Sequence, residues 1–397
     1  MASSWYARGK EAAVRSLLSL ASACLGLSTI AAAQGEARLV GSASLPAGDH
    51  AEGNDIFSMH RTSGGWYYIV ESEGQRVLRV DSLGKFLSAF RLRQRVHFTG
   101  LTADTLYIGD QQSSEVTLYL PNGAVARSLR LQHTVAPSPF YRYSAVQLFA
   151  NNTFLATPVV SSDILSLGND FALPLVRLSN EGLPRIRLGA TSSGNRAMHV
   201  STPGGEAVVW FRGGLEEFAS NTLYALMHDR MSVVFVSRPT EVVNGQVNFQ
   251  LLRIDHSGDT LLRREISQLA VSVPAAYRDS VLASYVPGLM KYSGTESAAK
   301  RMLETGLNIG RVFAPVSKVV VGADGTLWLR QSPRSNGRVN WAVYRETGEF
   351  VGLVELPWSA HLVFAEQGSA WAVRMEPDGR RFLDLYRTSS SSGGRVR

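Results

Sequence analysis

The chain has a single cysteine, Cys24, among 397 residues. Neither a disulfide framework nor a thiolate metal knuckle can therefore hold it together. Charge is also thin, with 18% Asp, Glu, Lys and Arg against roughly 25% in an average soluble domain. Catalytic signatures are missing too: the sequence contains no His-Glu-x-x-His, no EF-hand loop, no phosphate loop and no Gly-x-Ser-x-Gly elbow. Zinc-protease, calcium-loop, nucleotide and serine-hydrolase chemistry thus have no anchor. What the chain does have is 36 glycines and 45% apolar residues, which excludes disorder and fits a large folded core.

Residues 1–33 read as an export signal rather than as structure. Arg8, Lys10 and Arg15 precede an apolar stretch from Leu17 to Leu27, and Ala31-Ala32-Ala33 offers a small-residue cleavage site before Gln34. The stretch is shorter than the ~20 apolar residues of a membrane span, and a retained anchor is the lesser alternative. Leu20-Ala21-Ser22-Ala23-Cys24 approaches a lipobox, so a lipoprotein anchored at Cys24 is a second alternative, although Ala21 stands where a large aliphatic residue is usual. Removal of residues 1–33 lowers the formal charge from +7 to +5 and leaves no thiol. The localisation expected is periplasmic or extracellular, with no membrane span after cleavage. The mature chain, 34–387, is expected to be one domain, and the Ser- and Gly-rich tail 388–397 to be disordered.

The remainder repeats one grammar: an alternating strand, a four-residue polar turn ending in glycine, and a second alternating strand. Val77-Leu78-Arg79-Val80-Asp81-Ser82-Leu83-Gly84-Lys85-Phe86 is the clearest copy, and others end at Gly123, Gly182, Gly258 and Gly348. Glycine supplies the positive φ that closes such a turn. A second pair of short strands lies upstream of most copies, with Trp66, Tyr107, Trp328 or Trp371 entering the second strand, where an aromatic packs between sheets. Four-stranded units recurring along a chain are propeller blades.

The fold class predicted is all-β: a six-bladed β-propeller of four-stranded antiparallel blades. Its last blade has three strands of its own, and the lone strand Leu39 to Leu45 supplies the fourth, pairing near Leu383 to Tyr386. A seventh, degenerate blade within 190–240 is the competing count. A helical insertion is expected near 273–308, as two helices parted at Pro287-Gly288, serving as a packing brace or a gate.

The hairpin around Leu78-Arg79-Val80-Asp81-Ser82-Leu83-Gly84 resembles the six-bladed propellers of the NHL and TolB-like superfamily, of the exported bacterial type, over essentially the whole mature chain. That resemblance implies a scaffold shared by binding modules, lyases and lactonases. Relatives of the gluconolactonase kind hold a divalent metal with Glu, Asn and Asp side chains. Those ligands do not map onto this sequence, and only Asn54, Asp55 and Asp229 stand out as scattered candidates.

Among eight histidines, His60, His97 and His361 fall at ends of innermost strands and are the candidates for the channel mouth. Arg330, in a presumed polar loop with Arg334 and Arg338, is the candidate for an anionic ligand. No catalytic, cofactor or metal residue is assigned. No cofactor is expected, with calcium or zinc held by channel histidines as the alternative. The function expected is a monomeric binding or interaction module for an unknown protein, small molecule or glycan at one end of the channel, not for nucleic acid. The runner-up is a metal-dependent hydrolase or lyase of the lactonase kind.

Overall fold

The computed structural model describes residues 34–45, 56–71, 75–110, 115–131, 140–160, 172–179, 181–192, 196–202, 205–211, 221–306, 310–333, 337–366, 368–376 and 379–388. The signal segment with Cys24, residues Asn54 and Asp55, Arg334 and the tail beyond Thr388 lie outside them. Strand β1 (Gln34–Ser44) comes first. Blade one is β2 (Ile56–Arg61), β3 (Tyr67–Glu71), β4 (Arg76–Val80) and β5 (Phe86–Arg91). Blade two is β6 (Phe98–Thr102), β7 (Thr105–Asp110), β8 (Glu115–Tyr119) and β9 (Val125–Arg130). Blade three is β10 (Phe140–Leu148), β11 (Phe154–Val160), β12 (Ala172–Leu178) and β13 (Pro184–Ser192).

A separate hairpin follows, β14 (Arg196–Thr202) and β15 (Gly205–Phe211). Among the described residues its two strands pair only with each other, so the region proposed for a seventh blade holds a hairpin and the ring has six. Blade four is β16 (Leu223–Leu226), β17 (Ser232–Ser237), β19 (Gln246–Asp255) and β20 (Thr260–Leu269), with the two-residue β18 (Val242–Val243) added to β19. Blade five is β21 (Lys318–Val321), β22 (Leu327–Pro333), β23 (Arg338–Tyr344) and β24 (Phe350–Pro357). Blade six is β25 (His361–Glu366), β26 (Ser369–Met375) and β27 (Arg381–Thr388), completed by β1.

The closure predicted from the orphan strand is present in register. Leu39 faces Tyr386 and Ala43 faces Leu383, antiparallel, and Ala37 faces Thr388, one residue into the expected tail. Side chains tie the closure down: Ser42 donates to Asp384 at 2.6 Å, and the buried Asp384 also receives Arg374 at 2.7 Å. At its start β1 crosses to blade five, where Gln34 to Glu36 run parallel to Leu353 to Glu355 of β24.

Each of the six seams between blades has its own apolar cluster. The seam that closes the ring joins Tyr67, Ile69 and Leu78 of blade one to Phe364, Trp371 and Leu383 of blade six. Such side chains contribute roughly 1.5–3 kcal/mol each when fully buried. The recurring aromatic is Tyr68, Tyr107, Trp328 and Trp371, which face His60, Gly100, Val320 and Phe364 across their ladders. Trp66 had been expected there but sits in the turn before, edge-on to Tyr68 at 4.5 Å and stacked by Arg79 at 4.2 Å. Five residues, 62–66, separate β2 from β3 where two separate β6 from β7, so Trp66 falls in the loop and Tyr68 takes the place in the strand.

The glycines that end the outer turns have φ of 81°, 82°, 81°, 95° and 79° at Gly84, Gly123, Gly182, Gly258 and Gly348. Each of four also abuts the outermost strand of the preceding blade. A Cβ on Gly123 would come within 2.7 Å of Phe90, on Gly258 within 3.0 Å of Ile186, on Gly348 within 3.1 Å of Leu262 and on Gly84 within 3.2 Å of Ala43. Ala43 belongs to β1, so the N-terminal strand meets Gly84 as β5 meets Gly123.

An arginine five residues ahead of three turn glycines reaches the next blade's outer turn. Arg79 donates to the Pro121 carbonyl at 3.3 Å, Arg177 to the His256 carbonyl at 2.6 Å and Arg253 to the Glu346 carboxylate at 3.0 Å. All three acceptors stand two residues before their glycine.

The insertion holds helix α1 (Ala275–Ser293) and helix α2 (Glu296–Gly306). It leaves and rejoins the ring at one place, because Val273 N–H bonds Arg311 O and Phe313 N–H bonds Val271 O, both at 2.9 Å. The break expected at Pro287-Gly288 lies instead at Gly294, which takes φ 73° and donates to Met290 O at 2.9 Å. An interior proline costs about 3 kcal/mol. The helix continues because Leu282, Val286 and Leu289, on one helical face, share a buried cluster with Ala299, Leu303 and Phe313.

Candidate functional site

An antiparallel meander puts the inner turn of every blade, and the outer turns of blades one to five, on one face, the turn face, and the middle turns and the links between blades on the other, the linker face. Neighbouring blades are laced together on the turn face. Ser63 of blade one donates its N–H and hydroxyl to Asp104 of blade two at 2.8 and 2.6 Å, and these two bonds hold the Asp104 carboxyl below its ordinary range. Arg61 pairs with Glu366 of blade six at 2.7 Å. Ala323 of blade five donates to Ala365 O of blade six at 2.8 Å, and Ala150 of blade three to Arg230 O of blade four at 2.9 Å. Arg253 bridges Asp229 and Glu346, each at 3.0 Å, joining blades four and five.

Arg230 does most to shape this end. It occupies the inner turn of blade four with φ 55°, a left-handed backbone unusual for arginine. Its guanidinium reaches Leu101 O and the Thr102 hydroxyl of blade two, the latter at 2.6 Å, and Leu148 O and Phe149 O of blade three at 3.2 and 3.0 Å. It also lies 4.8 Å over the Tyr107 ring. One side chain thus spans three blades across the turn end of their innermost strands. No sequence signal marks it, since the corresponding turns of blades two and three carry Ala103 and Asn152 at positive φ.

Uncharged polar groups of the innermost strands, with Tyr107 of β7 behind them, bond to one another near this end. His60 Nε2 is 2.7 Å from the Thr99 hydroxyl and 3.1 Å from that of Ser58, and the two hydroxyls are 2.6 Å apart. Burial, and then the charge of Arg230, push the His60 pKa down to about 4, so the imidazole is neutral at ordinary pH. Tyr107 donates to the Gln147 side chain at 3.2 Å, and burial holds its phenol up at about 12 despite Arg230. Gly100 faces Tyr107 across the ladder, and a Cβ there would run into the phenol.

The other candidates lie elsewhere. His97 precedes β6 at its linker end and stands 3.2 Å from Asp110. Burial lowers its pKa, Asp110 opposes that shift and Arg95 adds to it. His361 opens β25 opposite Val373 and is exposed. His60 faces Tyr68 near the turn end, so the three histidines do not converge. Arg330 lies in β22, not in a loop, and stacks 4.1 Å over Trp358. Among the described residues, no three His, Cys, Asp or Glu side chains gather at one metal-sized point, and Asp229 is engaged by Arg253.

Both long excursions between blades leave from the linker face: the β14–β15 hairpin between blades three and four, and the helical pair between blades four and five. Strand β14 lies against both helices. No helix among the described residues is long and apolar enough to cross a membrane.

No protein-family model matches the chain, and no curated protein matches it in sequence. Solved structures that resemble it include an exported-protein candidate from Bacteroides fragilis, at 9% identity over 91% of this chain and 98% of that one, with TM-score 0.42. The calcium-binding protein regucalcin from Agrobacterium tumefaciens aligns at 10% identity over 85% and 94%, with TM-score 0.36. A streptogramin B lyase aligns at 11% over 87% and 95%, with TM-score 0.34. Binding proteins and enzymes thus stand side by side among its neighbours, and the strand topology of the chain itself identifies it as a six-bladed β-propeller.

Proposed function

We propose that this chain is an exported propeller of the NHL and TolB-like kind that acts as a binding module, taking its ligand into the central channel from the linker face. The contrast between the two faces carries the reading. Arg230 and the contacts between turns occupy one end, while the helical pair and the β14–β15 hairpin rise from the other. Between them, the half-buried Ser58, His60 and Gln147 of the innermost strands offer neutral donors and acceptors, held in place by the buried Thr99 and Tyr107. Such a wall suits a neutral ligand rich in hydroxyls or amides, a small glycan above all, because hydrogen bonds rather than net charge would select it. Export rests on the basic, apolar and small-residue order of residues 1–33.

The test is a thermal-shift screen of the cleaved protein against neutral mono- and oligosaccharides, repeated with Gln147→Leu. A saccharide that raises Tm for the parent and not for the variant, whose own Tm is retained, is the expected result. Stoichiometric calcium or zinc in the purified protein, with a lactonase or esterase activity lost on chelation, would replace this reading by the hydrolytic one.

A further inference from the structure

The outermost strands of blades six and one carry the same surface motif at the seam that closes the ring. Just after the outer turn of blade one, β5 bulges at Leu87, since Phe86 faces Val80 and Ser88 faces Arg79. Strand β1 bulges in the same register at Val40, since Leu39 faces Tyr386 and Gly41 faces Leu385. Arg38-Leu39-Val40 and Lys85-Phe86-Leu87 are therefore equivalent triplets. The four apolar side chains are each between 43% and 49% exposed, and both cations are exposed too. Gly84 abuts Ala43 of β1, and at ~3.4 Å per residue both apolar pairs lie within about 15 Å of that contact. Leu83, beside Gly84, is 75% exposed and belongs to the same patch.

The charge of this patch has one sign. Residues 37–45 and 82–91 contain Arg38, Lys85 and Arg91 and no acid. Glu36 precedes them on the part of β1 that pairs with blade five. Asp81 is taken up by the Leu83 and Lys85 N–H groups, both at 2.9 Å, and Asp384 is buried between Ser42 and Arg374. Arg38 faces the exposed Arg387 across the ladder, an arrangement in which like charges repel. Among the described residues no ion pair engages Arg38, Lys85 or Arg387.

We propose that this rim of the ring seats on the surface of an anionic phospholipid bilayer, with Leu39, Val40, Leu83, Phe86 and Leu87 in the headgroup layer and Arg38, Lys85 and Arg387 on lipid phosphates. Exposed apolar side chains set among cations bind an anionic interface through both buried apolar area and charge. Lipid phosphate also relieves the repulsion between Arg38 and Arg387. The place on the chain agrees: on the export reading, the segment that meets the membrane ends at Gln34, five residues before Leu39. The channel and its ligand play no part in this contact.

The test is cosedimentation of the protein from Gln34 onward, which holds all six blades, with phosphatidylcholine vesicles containing about 30% phosphatidylglycerol. Saturable binding at about 1 mM lipid is expected, and it should be about tenfold weaker with phosphatidylcholine alone or in about 0.5 M salt. Phe86→Ser/Leu87→Ser and Arg38→Gln/Lys85→Gln should each weaken it about tenfold. Their thermal melts should match the parent, because the altered side chains are exposed. Leu261→Ser changes the exposed bulge residue at the equivalent place in blade four, across the ring, and should bind like the parent. No binding to the anionic vesicles up to about 5 mM lipid would overturn the proposal. So would either double variant binding like the parent, or Leu261→Ser losing as much as they do. A dimer in place of vesicle binding, abolished by Phe86→Ser/Leu87→Ser, would overturn it by giving the patch to a second copy of the chain.

Discussion

Replacing Arg230 separates two opposed contributions at one residue. Its guanidinium serves carbonyls on two other blades and the Thr102 hydroxyl, and hydrogen bonds to a charged group stabilise by about 1.5–3 kcal/mol each. Some acceptors regain water when the side chain is cut back, so Arg230→Ala should lose about 3–5 kcal/mol rather than the full sum. The backbone pulls the other way: at φ 55° an L residue carries about 1–2 kcal/mol of strain that glycine does not. Arg230→Gly should therefore be about 1 kcal/mol more stable than Arg230→Ala, reversing the usual order of the two residues. Guanidinium unfolding followed by fluorescence of the seven tryptophans measures both. Removing the charge should also raise the His60 pKa, part of whose depression comes from Arg230, as read by an NMR titration. An Arg230→Ala protein within about 1 kcal/mol of the parent, or one more stable than Arg230→Gly, would refute the cross-blade account.

His60 has a folded pKa of about 4 against about 6.5 unfolded, so the folded state resists taking up the proton. Its contribution is present in full above pH 6.5 and is lost as pH falls toward 4, by as much as about 3 kcal/mol; His60→Gln should flatten that part of the stability–pH curve. Gly123→Ala combines positive φ with a Cβ 2.7 Å from Phe90 and should lose about 2–4 kcal/mol, whereas Gly65→Ala, at φ 78° with open space around it, should lose about 1 in the same unfolding assay. Glu71 is fully buried between Arg76 at 2.6 Å and Arg381 at 2.8 Å. Glu71→Ala removes the buried carboxylate that two guanidinium groups share at the seam of blades one and six and should lose about 3 kcal/mol by chemical denaturation.

The ring was legible because its rules are local and repeated. A glycine-ended turn needs positive φ wherever it occurs, and an unpartnered strand at Leu39 has one place to go when the last blade is a strand short. The arginine clasps were also readable, because Arg79, Arg177 and Arg253 stand at one offset from Gly84, Gly182 and Gly258. Arg230 was not, since its partners Leu101 and Leu148 lie far along the chain and are backbone carbonyls, to which residue identity gives no clue. The Pro287 break failed for a related reason: a local rule yielded to burial of Val286 and Leu289 against a second helix. His60 ends its innermost strand while His97 and His361 stand at the start of theirs, and the common direction of the innermost strands sends the two kinds to opposite ends of the channel.

The closing pair has a mechanical side. Ala37 faces Thr388 while Ser44 faces Phe382, so the free ends of β1 and β27 leave the ladder at the same end. Tension applied between the two termini would load these hydrogen bonds one after another, as a zip is drawn, instead of all together in shear. Under tension from its ends the short pairing of Gln34 to Glu36 with β24 of blade five would be loaded first and blade six would open next, while blades one to four bore little of the load.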